Sequence, residues 1–221
     1  MMKAFILLTI ALCAVGTFAQ QTCDQSHYDS VRTCYSQFLN NYNLSLGANY
    51  TLPRYTALAS NRGRDEMGFN NLNMAKVCMI QNTFSNCIGP DNVCIDPTDL
   101  PQIFGVFAND HYAYTEDFFI ANYECQTAYN ITMNNFYCLA SIGRSGYNAI
   151  MQCEAQLEAD INNNHDVCAA ENTYTQCLMN IYISYCGKDA GSYICNIQNV
   201  GLTHILPQCT QNVTTCPPYS S

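Results

Sequence analysis

The chain has no tryptophan, no Cys-x-x-Cys pair and only 25 charged residues among 221, made up of 8 Lys plus Arg and 17 Asp plus Glu. At 11%, charge is less than half of the roughly 25% found in an average soluble protein. The net charge of −9 has the wrong sign for neutralising phosphates, and no basic run occurs, which excludes a nucleic-acid binder. The missing Cys-x-x-Cys and the scatter of His27, His111, His165 and His204 speak against zinc, so neither a metal nor a cofactor is expected. Beyond the N-terminus no stretch approaches the ~20 apolar residues that a membrane span needs. The tail Pro217-Pro218-Tyr219-Ser220-Ser221 carries no lipid-anchor or retention signal. Disorder is excluded by supply, because 48% hydrophobic residues with 16 Tyr and 10 Phe can bury enough surface to offset ordering.

Residues 1–19 read as a secretory signal: Lys3 near the start, an apolar run over 4–15, and the small residues Thr17 and Ala19 before the cut. A secreted, extracellular protein is expected. Of 15 cysteines, Cys13 falls inside the signal, and the other 14 are an even set. They are Cys23, Cys34, Cys78, Cys87, Cys94, Cys125, Cys138, Cys153, Cys168, Cys177, Cys186, Cys195, Cys209 and Cys216. An oxidising compartment would close them into seven disulfides whose pairing the sequence leaves open. Asn-x-Ser/Thr acceptor sites for N-linked glycan occur at Asn43, Asn49, Asn130 and Asn212. Glycan there would supply the solubility that so few charges do not.

Two stretches 90 residues apart echo each other, Val77-Cys78 through Cys87 and Val167-Cys168 through Cys177. Cys34 and Cys125, and Cys94 and Cys186, match at nearly the same offset. The simplest reading is two diverged tandem modules, 20–112 and 113–221, in a mainly α, disulfide-rich fold of helical layers. Apolar residues at steps of three and four predict helices over 27–42, 74–87, 147–161 and 167–185. Asp24 or Ser26 suits the start of the first, Gly89-Pro90 ends the second, and Gly187 stops the last. Residues 118–142 predict one long helix or two with a break near Asn130. Nine residues turn a helix by about 900°, half a turn past two full turns, so cysteines spaced by nine face opposite sides and can tie a helix to a neighbour on each. Residues 50–67 and 91–101 read as loops, and 103–106 as a short strand.

Candidate chemistry is thin. His165-Asp166-Val167-Cys168 resembles the His-Asp pair of secreted phospholipases, but the adjacent cysteines those enzymes place before the His are replaced by Ile161 and Asn162. The better reading is that Asn164 or Asp166 caps the following helix. Glu116-Asp117, Asp65-Glu66 and the set Glu154, Glu158 and Asp160 are the paired carboxylates, and solvated helix faces carry such pairs routinely. Ser145 lacks the flanking glycines of a nucleophile elbow. Eight aromatics from Tyr112 to Tyr137 read first as core and second as the lining of a ligand cavity.

The signal, the cysteine count and the run Val167-Cys168, Cys177, Cys186-Gly187, Ala190, Cys195 and Cys209 resemble the nematode cysteine-rich secreted domains of unknown function, related to domains of nematode chondroitin proteoglycans. The likeness covers about half of the chain, with a weaker echo at Cys78, Cys87 and Cys94. It implies an extracellular, helical, non-enzymatic module and brings no catalytic residue. The expectation is a binding protein whose partner is an extracellular protein or glycan, with a carrier of a small apolar ligand as the alternative. After glycan removal the secreted protein should weigh 14 hydrogens less than the reduced chain of residues 20–221, two for each pair among the 14 cysteines. A thiol detectable after denaturation would break the even pairing.

Overall fold

The computed structural model describes residues 22–66, 70–163 and 166–220. The signal reading on 1–19 and the candidate His165 lie outside them. Among the described residues there are ten α-helices and no strand: α1 (Gln25–Asn40), α2 (Tyr55–Glu66), α3 (Asn71–Ile88), α4 (Leu100–Ile103), α5 (Asp110–Cys125), α6 (Tyr129–Asn134), α7 (Phe136–Ser145), α8 (Tyr147–Asn162), α9 (Val167–Cys186) and α10 (Lys188–Ile205). The fold is therefore a disulfide-rich, all-α one, as expected.

Local chemistry explains several of the helix ends. Asp24 caps α1 by accepting from the Ser26 N–H at 2.8 Å, and Asn70 does the same for α3 from Leu72. Asp166 caps α9 through the Cys168 N–H at 2.9 Å, the role preferred for it over catalysis. Gly187 takes φ +85° between α9 and α10, a region that L side chains rarely adopt, and one residue suffices to reverse the chain.

Three expectations need correction. Residues 50–67 are not a loop, since α2 occupies Tyr55–Glu66. Its first N–H, that of Tyr55, donates to the Asp110 carboxylate at 3.0 Å, so the cap comes from α5, far away in sequence. Residues 118–142 break twice, at 126–128 and at Asn135, and form parts of three helices. The short strand over 103–106 is absent: Ile103 ends α4, and the extended backbone beyond it makes one bridge, from the Leu52 N–H to the Gly105 carbonyl at 2.8 Å. Within 91–101 the chain is a 3-10 turn, a bend held by Asp96 and the start of α4.

Seven disulfides use all 14 cysteines: 23–94, 34–87, 78–125, 138–186, 153–177, 168–209 and 195–216, with Cα separations from 4.9 to 5.9 Å. The nine-residue spacing works as the helical rotation requires. On α3, Cys78 ties to α5 and Cys87 to α1; on α9, Cys177 ties to α8 and Cys168 to the turn beyond α10. The pairing itself does not repeat at the 90-residue offset, because Cys34 bonds Cys87 while its counterpart Cys125 bonds Cys78. The position between 112 and 113 lies inside α5.

The largest core packs α1 against α3 through Tyr35, Phe38 and Phe84, with Phe38 stacked on Phe84 at 4.3 Å and Tyr114 and Phe118 of α5 closing it. The other three cores are smaller, six, five and three buried residues against eighteen, and the one of five joins α3 to Cys125 and Phe136. Helix α5 belongs to both sides, since it packs on α3 and along α10. Among the described residues, Cys78–Cys125 is the one disulfide that links residues before 112 to residues after it. Replacing both cysteines by Ser should lower stability by about 4 kcal/mol, the loop-closure value for a 47-residue separation, read as the urea midpoint. An unchanged midpoint would mean that packing alone holds α3 to α5.

Candidate functional site

The residue that organises the interior is Arg62 on α2, 7% exposed. Its guanidinium forks onto Asp117 of α5, itself 8% exposed, with Nη1 donating to Oδ2 at 2.7 Å and Nη2 to Oδ1. Its Nε lies 2.6 Å from the Glu66 carboxylate one turn along α2. The Tyr55 hydroxyl adds a hydrogen bond to Asp117 Oδ1 at 2.8 Å. Removing one partner from a buried pair of this kind costs ~3–5 kcal/mol, because it strands the other charge.

Beside this group opens a cavity of about 210 Å³ among α2, α3, α5, α6, α7, α9 and α10. Its apolar wall includes Met74, Phe136, Leu139, Ile194 and Ile197. Its polar wall is Glu66, Glu124, Thr132, Tyr182 and Tyr193. The Tyr193 hydroxyl donates to Glu124 Oε1 at 2.5 Å. Burial pushes the Glu124 carboxyl up to about 7, and the neighbouring Glu66 charge adds to the rise, against the opposing pull of the Tyr193 hydrogen bond and Arg62. Burial also raises Glu66, with Arg62 opposing, and holds the Tyr182 and Tyr193 phenols above their ordinary range.

The paired carboxylates of the sequence separate by role. One member of each of two pairs, Glu66 and Asp117, meets Arg62, whereas Glu154 and Glu158 are exposed along α8. The three described histidines stand apart from the cavity: His27 Nδ1 lies 2.8 Å from Asp91, His111 packs beside Tyr112, and His204 stacks on Phe119. Of the eight aromatics from 112 to 137, Tyr114, Phe118 and Phe136 are buried, Tyr112 and Tyr137 are exposed, and Phe136 both packs in a core and lines the cavity. Among the described residues no group of three His, Cys, Asp or Glu could hold a metal ion, and no helix is long and apolar enough to cross a membrane. The sequence reading missed Arg62, Tyr55, Glu124 and Tyr193. A signal existed for two of them, since Tyr55, Leu58, Arg62 and Glu66 recur at steps of three and four along one helix face.

All four acceptor asparagines are exposed, and Asn43 and Asn49 adopt the left-handed conformation that asparagine tolerates best, at φ 56° and 55°. No family model, curated protein or solved structure matches the chain.

Glu66, Asp99, Glu116, Glu124 and Glu171 all hold their protons more tightly in the fold than an ordinary carboxyl does, burial being the first cause in each. A raised folded value adds stability that is complete below the unfolded value and lost as pH rises through the folded one. The urea midpoint should therefore rise on acidification from about pH 8 to about pH 5, the largest single share coming from Glu124 near pH 7. Glu124→Gln should flatten that rise. A midpoint that falls over this window would show Glu124 ionised in the folded protein.

Proposed function

We propose that the protein is a secreted, glycosylated, non-enzymatic binding protein that holds a small ligand in the cavity between α2, α5, α7, α9 and α10. The cavity carries the reading: apolar walls from several helices meet a few convergent polar groups, the usual construction of a ligand site. Its carboxyls are engaged, Glu124 by the Tyr193 hydroxyl and Glu66 by Arg62, an arrangement suited to orienting a ligand and not to turning it over. At about 210 Å³ the space is below the ~300 to 1,000 Å³ of drug-sized sites, so a compact ligand fits and a long acyl chain does not.

Secretion is supported by the signal pattern over 1–19 and by seven disulfides, which persist in oxidising compartments. Glycosylation is supported by the exposure of Asn43, Asn49, Asn130 and Asn212. A cysteine spacing that resembles that of nematode cysteine-rich secreted domains agrees with an extracellular role. Native mass spectrometry of protein taken from its own secretion, with glycans removed, should show an added noncovalent mass that leaves on activation. Ala140→Trp, which fills the cavity from α7, should return the bare protein mass. A bare mass from the wild-type protein would overturn the ligand reading and point instead to a protein or glycan bound on the outer surface.

A further inference from the structure

The walls of the cavity are chemically one-sided. Among the described residues its ionisable groups are Glu66, Glu124, Tyr182 and Tyr193, all acids, and no Lys, Arg or His lines it. The nearest cation, Arg62, is committed to Asp117 through the guanidinium fork and to Glu66 through Nε, so one positive charge already serves two negative ones. Glu124 is the third carboxyl of the group and has the Tyr193 hydroxyl as its hydrogen-bond donor. An anionic ligand such as a fatty acid would bring a fourth acid into a partly dry space with no base to meet it. A neutral apolar ligand would leave the carboxyl edge of the wall unused. A ligand carrying a single positive charge would balance the excess, and the rings of Phe136, Tyr182 and Tyr193 offer the aromatic surfaces that favour cations.

Resting on the reading of the cavity as a ligand site, we propose that its ligand is a small organic cation, an amine on a compact apolar or aromatic body. The ammonium would lie between Glu66 and Glu124, and the body against Met74, Leu139 and Ile197. About seven waters' worth of liquid volume, at ~30 Å³ each, sets the size of that body.

The groups facing Glu124 give the complex a pH dependence. They are Glu66 and Arg62 from α2, Asp117 on its own helix, Tyr193 from α10 and Tyr182 from α9, while α3, α6 and α7 contribute Met74, Thr132, Phe136 and Leu139. An ammonium favours the ionised carboxylate, so its affinity should fall as pH drops below about 7 and Glu124 takes up its proton.

Three probes of nearly one shape test this on the intact secreted protein by calorimetry: 2-phenylethylammonium, 2-phenylethanol and phenylacetate. The cation should bind about ten-fold tighter than the alcohol, the difference between a charge-assisted and a neutral hydrogen bond, and phenylacetate should bind more weakly than either. Glu124→Gln should remove about that ten-fold for the cation and leave the alcohol unchanged. With wild-type protein, which needs no variant to fold, cation affinity should weaken from about pH 8 to about pH 5.5 while alcohol affinity stays level. Should the alcohol or phenylacetate bind as tightly as the cation, or cation affinity be flat with pH, the amine proposal fails and the cavity remains a ligand site. Should none of the three bind, both readings fail.

Discussion

One guanidinium facing two carboxylates inside the molecule is the constraint from which the rest of the interior follows. Arg62 is too deeply buried for water to solvate its charge, so Asp117, through the guanidinium fork, and Glu66, as an ion pair at 2.6 Å, balance it. The fork to Asp117 locks α2 onto α5, and Asp110 on the same helix caps the first turn of α2. Arg62 is shared in this way, so Glu124 takes a phenol as its hydrogen-bond donor, and burial, with the Glu66 charge adding to it, holds its proton toward neutral pH. The excess of acid is a property of the charge count in one small region, and the cavity wall inherits it.

The second constraint is covalent. A chain with so few charged residues and one large core has limited means of holding ten helices in register, and four separate apolar clusters do not merge into a single interior. Disulfides at the ends and middles of α3 and α9 supply what burial does not, by limiting the unfolded chain and fixing each helix between two neighbours. A cavity walled by helices tied in this manner is formed before any ligand arrives, which lowers the ordering cost of binding. Closing the C-terminal end, the tail lies along α10, held by Cys195–Cys216, by Asn199 donating to the Thr214 carbonyl at 2.7 Å and by Tyr123 against Tyr219.

Helices with their own apolar stripe were legible from the chain alone, and α1, α3, α8 and α9 are such helices, three of which, α1, α3 and α9, also carry their own side-chain cap. Helix α2 was hidden because its inward face is Leu58 and an arginine, and because its cap comes from Asp110. Helix α10 drew no assignment for a different reason. It carries Gly191 and Gly201 in its interior, each costing roughly 1 kcal/mol of helix propensity. Both are spent on close approach: a Cβ at Gly191 would meet the Met179 carbonyl at 3.2 Å, and one at Gly201 would meet the Glu116 side chain at 2.7 Å. Their worth depends on α9 and α5 lying alongside, which no window of the sequence contains.

Composition, cysteine parity and the spacing of nine determined the class of molecule: helical, stapled, and with cysteines aimed to both sides of α3 and α9. Those properties are local or arithmetical, fixed by helical rotation and by the even count of thiols. Which cysteines pair, and which carboxylates meet which cation, was decided only by the tertiary structure. Glu66, Asp117 and Glu124 are spread over 58 residues between positions 66 and 124, and only the packing of α2 on α5 and α5 on α10 brings Glu66 and Glu124 to one cavity wall and Asp117 to the Arg62 beside it. Charge acts through space, so an acidic wall has no signature along a chain until the fold has chosen its neighbours.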